Sequence, residues 1–203
     1  MTWVKVCGLT RPEDVMVAVE AGANAVGFVI APMSPRRVTV QRAAELMENI
    51  EVLRVLVSAD ATAYELLAAA RDTGADGVQP HGRHGEESAA AAEAAGLFVI
   101  RPVAVSGGQI VPDPVSVSEA QVPLLDTGHA ELLGGTGTPF DWNAIEIPTR
   151  RFVLAGGLHA GNVAAAIGVM RPWGVDASSG LEAVPGIKDP AKVAAFVREA
   201  KQA

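Results

Sequence analysis

Short apolar runs alternate with amphipathic or alanine-rich stretches along the whole chain. Val4-Lys5-Val6-Cys7 is brief and β-like. Glu13 to Ala21 predicts a helix, with Pro12 and two acids at its start and Gly22 just past its end. Ala25 to Ile30 is a continuous apolar run bounded by Pro32, the pattern of a strand buried on both faces. Val40 to Asn49 reads as a helix, Val52 to Val57 as a strand, Ala63 to Thr73 as a helix and Gly77-Val78-Gln79 as a short strand. Glu86 to Ala95 is an alanine-rich helix closed by Gly96, and Leu97 to Val103 is a strand. Ser106 to Glu119 holds two Gly and two Pro, so a fifth helix there is short or irregular.

The rhythm continues to the end. Val122 to Leu125 is a strand ending in Asp126; a loop with Gly134-Gly135-Thr136-Gly137 follows, and Asp141 begins a short helical stretch cut by Pro148. Phe152 to Ala155 predicts a strand, Asn162 to Met170 a helix, Gly174 to Ala177 a strand and Pro190 to Gln202 a closing helix. That makes eight strand–helix units of about 25 residues each. Such alternation predicts parallel pairing with right-handed crossovers. A doubly wound sheet usually has five or six strands. Eight units in 203 residues match a small (β/α)8 TIM barrel. No linker or composition shift divides the chain, so residues 1–203 are expected to form a single domain.

Composition narrows the class. Hydrophobic residues make up 49% of the chain, enough for a full core, and the apolar stretch Ala25 to Met33 is too short to span a bilayer. The start, Met1-Thr2-Trp3, leads straight into a strand, and no secretory leader is expected. A net charge of −7 argues against bulk nucleic-acid binding. One cysteine excludes an internal disulfide framework and fits a reducing cytoplasm.

In a barrel, chemistry sits at the C-terminal ends of the strands. Those ends here are Cys7-Gly8, Ala31 to Arg37, Ser58, Gln79 to Gly82, Arg101, Asp126, Gly156-Gly157 and Ser178-Ser179-Gly180. Glycine lets backbone N–H groups approach an anion closely. The last two loops are where barrels commonly hold phosphate, and a site built from backbone donors needs no lysine. The first and sixth strands lie three steps apart in a ring of eight, so Cys7 and Asp126 would face each other across the mouth, with the phosphate loops on the arc between. That layout suits proton removal at one atom and delivery at another. A buried lone cysteine also serves as a small hydrophobe, and a strand-end aspartate also serves as a cap. The four histidines lack the ligand count of a zinc site. Trp3, Trp142 and Trp173 fit packing better than ligand stacking.

Lys5-Val6-Cys7-Gly8-Leu9-Thr10 resembles the opening signature of the phosphoribosylanthranilate isomerases of tryptophan biosynthesis. The likeness continues in register through Gly27-Phe28-Val29, Pro32-Met33-Ser34-Pro35-Arg36, Val78-Gln79-Pro80-His81-Gly82 and Leu124-Leu125-Asp126. It extends through Gly134-Gly135-Thr136-Gly137 with Phe140-Asp141-Trp142, Leu154-Ala155-Gly156-Gly157-Leu158, Val175-Asp176-Ala177-Ser178-Ser179-Gly180-Leu181-Glu182 and Pro185-Gly186-Ile187-Lys188-Asp189.

The resemblance implies an Amadori rearrangement of N-(5′-phosphoribosyl)anthranilate, the third step of tryptophan synthesis from chorismate. It implies Asp126 as general acid, Cys7 as general base and Arg36 as the holder of the anthranilate carboxylate. Gly156, Gly157, Ser178, Ser179 and Gly180 would bind phosphate, Gly135 and Gly137 would line the site, and His81 would bind or orient the substrate. No metal or organic cofactor is implied. The expected partner is this small molecule, with no nucleic acid or membrane, on a cytoplasmic monomer or homodimer.

The chain departs from the family pattern at Thr138-Pro139, where a lysine is usual, at Pro80 for leucine, and at His159-Ala160-Gly161 for Asn-Pro-Glu. Two rivals are a histidine-pathway isomerase of the same fold, or an enzyme of both substrates, and a non-catalytic phosphosugar-binding barrel. The histidine-pathway relative uses aspartates at the ends of strands one and five. Cys7 at the first position and Arg101 in the fifth strand count against it. The binding protein would lack Cys7 or Asp126.

Overall fold

The computed structural model describes residues 1–106, 108–127 and 141–203. Strands β1 (Trp3–Cys7), β2 (Ala25–Val29), β3 (Leu53–Ala59), β4 (Gly77–His81), β5 (Phe98–Ser106), β7 (Val122–Thr127), β8 (Val153–Leu154) and β9 (Gly174–Ala177) form the expected parallel ring. It closes through Gly77↔Phe98 and Val78↔Val99 between β4 and β5. Helices α1 (Pro12–Glu20), α2 (Val40–Met47), α3 (Ala63–Thr73), α4 (Gly85–Ala94), α5 (Val163–Met170) and α6 (Pro190–Gln202) lie in the crossovers.

Local chemistry sets several boundaries. A capping box joins Thr62 and Glu65 at the start of α3, and Gly74 ends that helix in the left-handed region at φ 66°. Asp189 accepts from the N–H groups of Ala191 and Lys192, and Pro190 opens α6 without losing a needed donor.

Alternation along each strand divides the apolar residues between two cores. Val4, Val6, Leu125, Leu154 and Val175 pack outward beneath the helices. Cys7, Val55, Val57, Ile100, Leu124 and Val153 fill the interior of the ring. At the N-terminal end of the barrel Trp3 and Trp173 stack with centroids 5.0 Å apart, and Arg151 lies 5.3 Å from the Trp173 ring centroid. That end is plugged, as the packing role expected of these tryptophans requires.

Three crossovers differ from a simple alternation. The irregular fifth helix is reduced to a 3-10 turn, Pro114–Ser116, preceded by β6 (Gln109–Val111), which pairs antiparallel with the end of β5. The helical stretch expected from Asp141 is not formed: residues 141–150 make only turns, and Pro148 supplies no N–H to carry a helix onward. After β9 a 3-10 turn, Ser179–Leu181, leads into a hairpin of β10 (Glu182–Val184) and β11 (Ile187–Lys188). Two strands of two or three residues carry too little periodicity to be read from sequence. β4 runs two residues past the predicted Gly77-Val78-Gln79, through Pro80; pairing with β5 has already ended at Val78, so the missing N–H of Pro80 falls where that ladder has opened.

Candidate active site

Cys7, Arg36, His81, Asp126, Gly156, Gly157, Ser178, Ser179 and Gly180 all line one cavity of about 650 Å³ at the C-terminal end of the barrel. Gly135 and Gly137 lie outside the described residues, as do Thr138 and Pro139. Arg101 is a correction. Its neighbours Val99 and Val103 pack outward, and Arg101 likewise lies against α4 and lines a separate groove with Glu86 and Glu93. Strand alternation turns it away from the mouth.

The ring order β1-β9-β8-β7 puts the strands of Cys7 and Asp126 three steps apart, with the glycine loops between them. Gly156 and Gly157 adopt φ of 88° and 65°, a left-handed pair that a side chain would strain. Gly180 is required for a different reason. A Cβ there would run into the carbonyl oxygen of Leu158 and come 3.1 Å from His159 Cβ, so the loops after β8 and β9 touch at this point. The N–H groups of Gly156, Gly157, Ser179 and Gly180 take no part in the described hydrogen bonds of the chain. Unpaired N–H groups in glycine-rich turns are the type of donor that anion sites use.

Asn162 holds the first of these loops: its Nδ2 donates to Gly157 O at 2.9 Å and its Oδ1 accepts from His159 N at 2.8 Å. Gly161 N donates to His159 Nδ1 at 3.1 Å, so the His159-Ala160-Gly161 departure still closes the turn.

The sequence reading missed a charged layer beneath this surface. Lys5 and Asp176 are register partners on β1 and β9, and Lys5 Nζ donates to Asp176 Oδ2 at 2.7 Å with no exposure of the lysine side chain. Alternation offered the signal, since Lys5 shares a strand face with Cys7. Burial works against the Lys5 ammonium, but attraction from Asp176 and Cys7 outweighs it and the net shift is upward. Burial pushes the Cys7 thiol up; Lys5 opposes this and Asp176 adds to it, leaving the thiol above its ordinary value.

A second group lies under Arg36. Its Nε and one terminal nitrogen donate to the two Glu182 oxygens at 2.7 and 2.9 Å, a bidentate pair. Lys188 Nζ donates to Glu182 Oε1 at 3.0 Å and to the Ser178 carbonyl at 3.0 Å. Lys188 thus ties the Ser178 carbonyl to Glu182 beneath the loop that follows β9. Burial alone would raise the Glu182 carboxyl, but Arg36 and Lys188 hold it below the usual range. These partners are 146 and 6 residues from Glu182, and only the first separation hides the pairing from a sequence reading.

Burial, aided by Lys5 and Arg101, lowers the His81 pKa to about 4, so the ring is neutral near pH 7. Gln79 Nε2 lies 2.9 Å from its Nε2, within hydrogen-bond distance. His81 is thus a neutral hydrogen-bonding group in the cavity. Gln79 Oε1, Asp176 Oδ1 and Ser58 Oγ are buried without partners, and all three residues line the same space. Unsatisfied acceptors at a cavity wall suit a ligand rich in hydroxyl donors.

Residues 4–199 match the family model for N-(5′-phosphoribosyl)anthranilate (PRA) isomerase. The chain belongs to this family. It is 44% identical over 208 residues to the N-(5′-phosphoribosyl)anthranilate isomerase of Rubrobacter xylanophilus, covering 99% of this chain and 100% of the relative. The crystal structure of phosphoribosyl anthranilate isomerase from Thermotoga maritima superposes with a TM-score of 0.87 at 36% identity, with both chains fully covered at 100%. A further isomerase structure, in complex with reduced 1-(o-carboxyphenylamino)-1-deoxyribulose 5-phosphate, gives a TM-score of 0.84 at 34% identity, again covering 100% of each chain. Both likenesses extend through the whole ring.

Proposed function

We propose that this chain catalyses the Amadori rearrangement of N-(5′-phosphoribosyl)anthranilate to 1-(2-carboxyphenylamino)-1-deoxyribulose 5-phosphate, with Asp126 as acid and Cys7 as base. The observation that carries the assignment of roles is the opening of both residues on one cavity, from strands three steps apart, with the free N–H groups of two loops between them. Phosphate seated on Gly156, Gly157, Ser178, Ser179 and Gly180 leaves the ribose between the thiol and the carboxyl group.

Asp126, protonated, delivers its proton to the furanose ring oxygen. The nitrogen lone pair then breaks the C1′–O bond and forms a Schiff base. Cys7, as thiolate, removes the C2′ proton, and the C–H electron pair moves to give the enolamine, which tautomerises to the ketose. Arg36 meets the anthranilate carboxylate while Glu182 and Lys188 keep its guanidinium in place. His81 binds or orients the substrate as a neutral partner. By the family resemblance, Gly135 and Gly137 line the site.

The fifth barrel strand speaks against the histidine-pathway reading. Its sequence, Phe98-Val99-Ile100-Arg101-Pro102-Val103-Ala104-Val105-Ser106, holds no acid, and Ile100 faces the interior. No helix among the described residues is long and apolar enough to cross a membrane. We place the reaction in the cytoplasm, on a monomer or homodimer.

The test is the loss of anthranilate-type fluorescence when purified protein meets this substrate, with the histidine-pathway substrate run in parallel. Turnover of the first alone supports the reading, and turnover of the second alone overturns it.

A further inference from the structure

The charged pair below the cavity floor has no part in the scheme above. Lys5 lies wholly inside the barrel, where a charge is expensive to hold. Replacing such a pair by apolar residues is often neutral or favourable for stability. Its position is therefore more informative than its contribution to the fold. Gly27 on β2 leaves an open point beside β1: a Cβ there would be 2.8 Å from Cys7 Sγ and 3.1 Å from Lys5 Nζ. Sulfur and ammonium flank this one point, within the roughly 4–6 Å over which one charge acts on a neighbouring ionisation.

Lys5 stands on the thiol's own strand, Asp176 on β9 and Lys188 on β11, and all three act on it electrostatically. Asp126 on β7, His81 on β4 and Arg36 after β2 share the cavity. His81 is neutral near pH 7, and Arg36 is met by Glu182. Lys188 is held by Glu182 as well. Among these cations Lys5 acts most strongly on the sulfur, and Lys188 adds a smaller effect of the same sign.

We propose that Lys5, held in place by Asp176, is a positioning residue that supplies the positive charge needed for Cys7 to exist as the thiolate base. The proposal rests on the reading of Cys7 as base. The thiol releases its proton to water through the open mouth, and the ammonium then faces an anion. Burial by itself favours the neutral thiol, and so does Asp176. A base at this position needs an opposing charge, and the register of β1 sets one two residues away on the same face.

Cys7 is the chain's one cysteine and lines the cavity, so thiol chemistry reads this group alone. The experiment follows the rate of iodoacetamide alkylation of the unliganded enzyme against pH, supported by thiolate absorbance. Lys5→Met should move the midpoint upward by about one unit or more, a tenfold loss of thiolate at neutral pH. Lys5→Arg, which keeps the cation, should return it toward the parent value. The acidic limb of the pH profile of kcat/KM should follow the upward shift in Lys5→Met.

A purely structural role would weaken the fold in Lys5→Met without moving the midpoint. An unchanged or lowered midpoint in Lys5→Met overturns the proposal. If that variant does not fold, Lys5→Gln, which keeps a long side chain and loses the charge, decides it, and an unchanged or lowered midpoint there overturns it. Failure of the base reading would show differently. Cys7→Ala would keep its turnover, while the titrations still reported the field of Lys5.

Discussion

Gly180→Ala tests whether the two glycine loops form one phosphate site. The added Cβ meets the backbone carbonyl of Leu158, and its next neighbours are His159 Cβ at 3.1 Å and the Leu158 carbonyl carbon at 3.2 Å. None of these is the far end of a flexible side chain, so the loops must separate. Overpacking of this kind costs about 1–3 kcal/mol. If the strain is felt in the site, phosphate affinity falls about 5- to 150-fold, since each 1.4 kcal/mol is tenfold. A displacement of about 1 Å also disturbs the chemistry, where such shifts cost up to about a hundredfold. The expected result is a raised KM, a raised inhibition constant for inorganic phosphate and a folded protein by circular dichroism. Gly168→Ala is the control, because a Cβ there meets nothing within 4 Å on an exposed face of α5. It should stabilise the chain by about 0.5–1 kcal/mol and leave KM alone. A folded Gly180→Ala with unchanged KM and unchanged phosphate inhibition would refute the two-loop site.

Cys7→Ala and Asp126→Asn should each lower kcat by about 10²–10⁴-fold with little change in inhibition by inorganic phosphate; near-normal turnover in either removes that residue from its role. Arg36→Ala should mainly raise KM, and Glu182 keeps Lys188 as a partner so the fold survives; an unchanged KM would move the carboxylate contact to Arg37. His81 titrates at about 4 in the fold against 6.5 for an ordinary histidine, so the native state resists its protonation. That contribution to stability is present above pH 6.5 and is lost as pH falls through 4, a change of roughly 3 kcal/mol that urea denaturation should show in the parent and not in His81→Asn.

The barrel was readable because each strand announces itself locally. Ala25 to Val29 is apolar throughout, and the helix before it is marked by Pro12 and two acids at its start and Gly22 past its end. Cys7, Asp126 and the glycine pairs were readable as ends of such strands. Arg101 was misplaced because β5 runs on to Ser106, which leaves Arg101 inside the strand on its outward face. The turns at 141–150 and the β10–β11 hairpin lie in segments where periodicity is too short to decide.

The order of strands and helices, and with it the class of fold, follows from residue pattern alone, because backbone hydrogen bonding and side-chain alternation are local properties of the chain. The charge pairings do not follow from it. Lys5 meets Asp176 across 171 residues and Arg36 meets Glu182 across 146, and both pairs exist because ring closure brings strands and loops distant in sequence side by side. Burial then raises the energetic weight of those pairings, since a buried ion without a counter-charge is strongly disfavoured. The electrostatic setting of the thiol and of the arginine is therefore a property of the closed ring.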